Sequence, residues 1–148
     1  MIVTDAAKEF VTDSAIAANA DFYWWQDYKR APGLISHIEA TDDLDMLLIC
    51  PATANTIAKI AYGIAGNVLT SAILATDVNV TKVIAPAMNT RMWKNPVVER
   101  NVGLVRDLDW KILEPVRGRL ACGTEGEGKL PSTRDIVAWV NEQRGWVV

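Results

Sequence analysis

Two apolar runs most constrain what this chain can fold into: Leu47-Leu48-Ile49-Cys50, and Lys82-Val83-Ile84-Ala85. The first is nearly continuous from Asp45, as a parallel strand buried on both faces requires, and on that reading Cys50 belongs to the strand core. Both runs break in the same way. The first passes into Pro51-Ala52-Thr53-Ala54-Asn55-Thr56, the second into Pro86-Ala87-Met88-Asn89-Thr90-Arg91-Met92-Trp93. In open α/β sheets, ligands sit in the crevice outside the carboxyl ends of the strands. Two strand ends that carry Pro-Ala turns, small polar residues and an Asn therefore mark a site for a polar, flat or phosphorylated small molecule.

Helical patterns separate the strands. Met1-Ile2-Val3 is a short apolar start, and Thr4 or Asp5 is suited to cap a helical stretch running to Phe10. From Asn55, apolar residues recur at Ile57, Ile60, Ala61 and Ile64, which is helical spacing. Gly63 and Gly66 interrupt that helix before Asn67 starts another over residues 68–74. Pro96 fits the first turn of a helix through Leu108. Trp110-Lys111-Ile112-Leu113 reads as a short strand closed by Pro115, residues 118–129 as a glycine-rich loop, and residues 132–140, or on to 144, as a final helix. Residues 20–36, with Trp24, Trp25, Tyr28, Pro32 and Gly33, read as irregular. Strands alternating with helices give an α/β fold with a mostly parallel sheet. With no repeat and no linker, residues 1–148 are expected to form a single domain, long enough for a real core. The glycine turn that binds phosphate after the first strand of such sheets does not precede Thr4. The expected fold therefore lacks the N-terminal βα unit.

Composition narrows the function classes. The net charge is -3 and no Lys/Arg run exceeds two residues, so nucleic-acid binding lacks electrostatic support. No apolar stretch reaches the roughly 18 residues of a membrane span, and no basic-then-apolar leader argues for secretion, so a cytoplasmic location is expected. Cys50 and Cys122 are too few for a disulfide framework. With one His and no CxxC or HxxxH pattern, no metal site is expected. Read alone, the remaining candidates are ordinary. Asn89 is a natural cap for the turn at Thr90, Met88 and Met92 are plain core filler, and Trp24, Trp25 and Tyr28 suit packing or a subunit interface. Cys122, among glycines and near Arg119, reads as an accessible thiol.

Taken together, these segments resemble a family. Pro51–Thr56 resembles a "PASANT" motif, Pro86–Trp93 matches "PxMNxxMW" in full, His37-Ile38-Glu39 resembles an "HIE/D" segment, and Arg119-Leu120-Ala121-Cys122-Gly123 resembles an "RLACG" clamp. In their order along the chain they are similar to the homo-oligomeric flavin-containing cysteine decarboxylases, nearest to the branch acting in coenzyme A synthesis. The resemblance covers residues 3–128. It implies a Rossmann-like (flavodoxin-like) three-layer fold, FMN as cofactor, phosphopantothenoylcysteine as small-molecule substrate, and a homotrimer or an assembly of trimers with sites shared between subunits.

The resemblance also implies roles. His37 would be the base assisting oxidation and decarboxylation. Asn89 would hold the substrate carboxylate, with Met92 shaping that pocket. Arg119, Leu120 and Ala121 would clamp the pantothenoyl arm, and Cys122 would protonate the intermediate during its reduction. Thr53, Ala54, Asn55 and Thr56 would touch the flavin, with Thr4, Phe10 and Ala87 nearby. A cysteine carboxylate cannot lose carbon dioxide directly, because the carbanion has nowhere to delocalise. The implied chemistry oxidises the thiol-bearing carbon to a thioaldehyde, releases carbon dioxide to leave an enethiolate, and returns the two electrons with a proton. The chain departs from the family in its missing Gly-Ser segment for the flavin phosphate, in Ala65-Gly66 before Asn67, and in Gly128-Lys129-Leu130-Pro131-Ser132 after the clamp. Two alternatives stay open: a peptidyl-cysteine decarboxylase of natural-product maturation, and a non-catalytic flavoprotein subunit or phosphatase regulator. Peptide-directed relatives commonly replace the clamp cysteine, so Cys122 favours the coenzyme A branch. Retention of both His37 and the Asn89 motif disfavours a non-catalytic subunit.

Overall fold

The computed structural model describes residues 1–21, 24–25 and 36–144. In chain order the elements are β1 (Ile2–Val3), a 3-10 helix (Asp5–Glu9), α1 (Asp13–Ala17), β2 (Trp24–Trp25), α2 (Ser36–Glu39), β3 (Met46–Ala52), α3 (Ala54–Ala61), α4 (Val68–Ala75), β4 (Thr81–Pro86), α5 (Thr90–Trp93), α6 (Pro96–Asp107), β5 (Lys111–Ile112), β6 (Val116–Arg119), β7 (Glu125–Lys129) and α7 (Thr133–Arg144). They fall into two units, Met1–Asp45 with Tyr62–Val80, and Met46–Ala61 with Thr81–Val148.

In the first unit, β1 pairs parallel with β2, Ile2 opposite Trp24 and Val3 opposite Trp25. A strand therefore occupies part of a stretch expected to be irregular; Tyr28, Pro32 and Gly33 lie outside the described residues. The helix expected to run to Phe10 is a 3-10 helix ending at Glu9, and Thr4 makes no side-chain capping bond to it. The true cap comes later, at Thr12, whose hydroxyl accepts from Ala15 N at 3.2 Å to start α1. Asn67 begins α4 with a reciprocal capping box: its Oδ1 accepts from Thr70 N at 2.9 Å, while its own N–H donates to the Thr70 hydroxyl at 3.1 Å. Gly63, at φ +63, supplies the left-handed turn between α3 and α4. Val68, Leu69, Ala72 and Ile73 are the buried apolar residues of α4.

The second unit is built on a parallel sheet in the order β3-β4-β5, with Leu48 opposite Val83 and Ile49 opposite Ile84. Residues 83–86 of β4, the central strand, are all buried. In the same unit α3 and α6 pack together, and Ile57, Ile60, Val102 and Val105 on them are buried. The expectation of burial on both faces fails for β3. Leu48 and Cys50 are exposed while Ile49 is buried, so Cys50 is not a core residue. The reason is alternation: successive side chains of a strand point to opposite faces, and the face of β3 that carries Leu48 and Cys50 is exposed.

The segment 118–129 is not a loop throughout. Residues 116–119 and 125–129 form an antiparallel hairpin, β6 with β7, in which Gly118 faces Gly126. Glycine usually weakens strands, but here it allows close approach. A side-chain carbon at Gly126 would collide with the Thr90 hydroxyl, and one at Gly128, whose φ is +114, would collide with the Met88 carbonyl oxygen.

Candidate active site

The site of the second unit starts where β4 ends. Asn89 precedes the single turn α5 with extended backbone, and its Oδ1 accepts from Met92 N at 2.9 Å. Capping thus uses the oxygen of the amide and leaves its two N–H donors for something else. The residue is exposed. Met92 is exposed as well, on the turn that Asn89 caps, rather than core filler.

The two strand exits lie side by side. Ala87 N donates to Ala52 O at 3.1 Å, continuing the β3–β4 pairing beyond the strands. At the β3 exit, Thr53 is a looser counterpart of Asn89. Its hydroxyl lies 3.3 Å from the Thr56 hydroxyl and 3.5 Å from Thr56 N. Thr53 and Asn55 are exposed, and Ala54 and Thr56 are half-buried. The first N–H groups of a helix have no intrahelical partner, so the start of α3 offers backbone donors, a hydroxyl and an amide to an acceptor-rich ligand. A flavin ring, with carbonyl oxygens and ring nitrogens along one edge, fits that donor set.

The hairpin tip forms the third part. Leu120 N donates to Thr124 O at 2.8 Å and Gly123 N to Leu120 O at 2.9 Å, with Gly123 at φ +84. Leu120 is buried and Arg119, Ala121 and Cys122 are exposed. Cys122 Sγ sits 3.2 Å from Thr124 Oγ1. Hydrogen bonding to the Thr124 side chain, then to its backbone, holds the thiol below its ordinary range, with a smaller contribution from the positive charge of Arg91. The thiol is exposed, as its glycine-rich setting near Arg119 suggested. Thr124 and Arg91 are the site residues that sequence reasoning missed. A hydroxyl two residues beyond the thiol, within a glycine turn, was the available signal for Thr124. Cys50 shows the opposite behaviour: although the residue keeps an exposed surface, desolvation by the surrounding protein pushes its thiol up.

The first unit carries the remaining candidates. His37 lies on the short α2, half-buried, and its carbonyl accepts from the Thr41 hydroxyl at 3.1 Å. Thr4 is half-buried, and Phe10, just past the 3-10 helix, is 90% exposed. No helix among the described residues is long and apolar enough to cross a membrane.

A model of the Flavoprotein family matches residues 1–145. The chain belongs to the Flavoprotein family. Its α/β fold is the flavodoxin-like one of that family's decarboxylases. This Flavoprotein is 34% identical over 145 residues to a probable phosphopantothenoylcysteine decarboxylase of Streptococcus mutans, covering 97% of this chain and 81% of that protein. It is 39% identical over 139 residues to the bifunctional coenzyme A biosynthesis protein CoaBC of Bacillus subtilis, 93% of this chain but only 34% of that longer protein. Among solved structures it resembles a cysteine-to-serine mutant of PPC decarboxylase complexed with pantothenoylaminoethenethiol, at a TM-score of 0.85 and 32% identity over 96% of this chain and 80% of that one. It also resembles the FMN-dependent cysteine decarboxylase SpaF, at a TM-score of 0.77 and 32% identity over 97% of this chain and 78% of that one.

Proposed function

We propose that this Flavoprotein is an FMN-dependent carboxy-lyase that converts 4'-phosphopantothenoylcysteine to 4'-phosphopantetheine in coenzyme A biosynthesis. The observation that carries the reading is Asn89, whose oxygen is committed to its own helix, so that the cap leaves the amide donors unused on an exposed residue. A carboxylate is the ligand that two such donors suit best. FMN would be held by Thr53, Ala54, Asn55 and Thr56, with Thr4, Phe10 and Ala87 contributing. When bound, it supplies two-electron oxidation and later reduction at the carbon that bears the substrate thiol. Asn89 orients the carboxylate and Met92 lines its pocket. His37 takes the proton lost on oxidation. Arg119, Leu120 and Ala121 hold the pantothenoyl arm, and Cys122, with its depressed thiol pKa, delivers a proton to carbon in the final reduction.

The chain works as one catalytic domain over residues 1–148, a reading supported by a single family model spanning residues 1–145. It assembles as a homotrimer, or as several trimers, in the cytoplasm. Purified protein should show flavin absorbance near ~370 and ~450 nm and release carbon dioxide from phosphopantothenoylcysteine. His37→Asn should retain the flavin bands and the assembly while losing carbon dioxide release. A yellow protein that ignores this substrate but decarboxylates a peptide ending in cysteine would transfer the assignment to peptide maturation.

A further inference from the structure

The decarboxylase reading gives Thr90, at the β4 exit, no task. Thr90 follows Asn89, and its hydroxyl donates to the carbonyl of Glu127 on β7 at 2.7 Å. On the other side of Asn89, Met88 N donates to the carbonyl of Gly128 at 2.9 Å. Asn89 is therefore flanked by two bonds to the same strand. The approach is tight enough that neither Gly126 nor Gly128 could carry a side chain without striking Thr90 or Met88. The same strand leads directly into the hairpin tip, where Leu120 N bonds to Thr124 O and Cys122 meets the Thr124 hydroxyl.

We propose that Thr90 is a positioning residue that braces the clamp hairpin against Asn89 and so sets the spacing between the carboxylate pocket and the clamp. This rests on the decarboxylase reading for the identity of the two ends, but the brace itself is a property of the fold. A substrate gripped at its carboxylate by Asn89 and along its arm by residues 119–121 must match that spacing. A hydrogen bond that holds the spacing in the free protein lowers the ordering cost of binding. Losing it should therefore weaken substrate binding more than it slows chemistry.

Thr90→Val keeps the side-chain shape and removes the donor, while Thr90→Ser keeps the donor. In the full chain loaded with FMN, Thr90→Val should raise KM for phosphopantothenoylcysteine about 3- to 10-fold, with kcat changed less than about 2-fold and FMN affinity unchanged. Backbone amide exchange over residues 120–129 should accelerate without substrate, and Thr90→Ser should restore both values. Wild-type KM and exchange in Thr90→Val would overturn the brace, as would equal losses in the Ser variant. If the wild-type protein does not turn over the substrate, the decarboxylase reading fails, and the exchange measurement alone decides the brace.

Discussion

The exits of β3 and β4 are written in nearly the same residues and end up doing different things. Both are Pro-Ala strand ends followed by an Asn within four positions of the Pro, and they are joined by the bond from Ala87 to Ala52. The β4 exit is finished by the protein itself. Asn89 caps α5, and the residues on either side of it are bonded to β7. The β3 exit is left open: the Thr53 hydroxyl makes only long contacts, and Asn55 projects into solvent. A polar side chain that is locked before binding selects a fixed ligand group. One left loose can follow a larger planar ligand, and gains its order only when that ligand arrives.

The most severe test of this contrast is Asn89→Asp. Asp caps helices as well as Asn, so the fold should survive. The two donors are replaced by a carboxylate that repels the one it should hold. Decarboxylation kcat/KM should fall by about 10²- to 10³-fold, the scale of losing a preorganised donor, with an unchanged melting temperature. Activity near wild type would show that the locked exit is merely structural.

Cys122→Ser tests the hairpin that the β4 exit supports. A hydroxyl is a far weaker acid than the thiol, so the single-turnover rate of saturated thiol formation should fall about 10²-fold, while carbon dioxide release persists. Product mass separates the stalled enethiol from the finished thiol. If the saturated product forms at the normal rate, the thiol is not the proton donor.

The open exit should respond differently. Thr53→Val should weaken FMN binding by about 10-fold or less, as one lost hydrogen bond permits, and leave kcat near normal once FMN saturates the protein. Titration of flavin fluorescence measures the first quantity. A loss of kcat as large as that of Asn89→Asp would erase the distinction between the exits.

Thr124→Val probes the thiol more gently. The Thr124 hydrogen bonds stabilise the thiolate and hold the Cys122 pKa down, so removing the side-chain bond should raise it. The pH dependence of Cys122 alkylation should then move to higher pH, with Cys50 blocked or replaced. The smallest change belongs to the strand that feeds the open exit. Cys50→Ser, at an exposed edge position, should alter unfolding stability by no more than about 0.5 kcal/mol. A buried thiol would cost more, which a denaturant melt resolves.

Much of this was legible in the sequence because it is local. Apolar runs, helical spacing, the Pro at the start of α6 and Asn67 before α4 act over a few residues, and the structure places strands and helices there. The order of the motifs pointed to the family for the same reason: each motif is a contiguous stretch. What the sequence could not decide is everything that depends on which neighbour a strand acquires. Cys50 looked like core because its run is apolar, but burial depends on whether a second surface covers each face, and the face of β3 that carries Leu48 and Cys50 is exposed. Residues 118–129 looked like a loop because glycine disfavours strands in isolation. The strand pairing there is stabilised by contacts with Met88 and Thr90, 37 positions away for the Thr90–Glu127 bond. Likewise, the charge of Arg91 acts on the Cys122 thiol from 31 positions away, since electrostatics acts through space and residue order sets only which groups can meet.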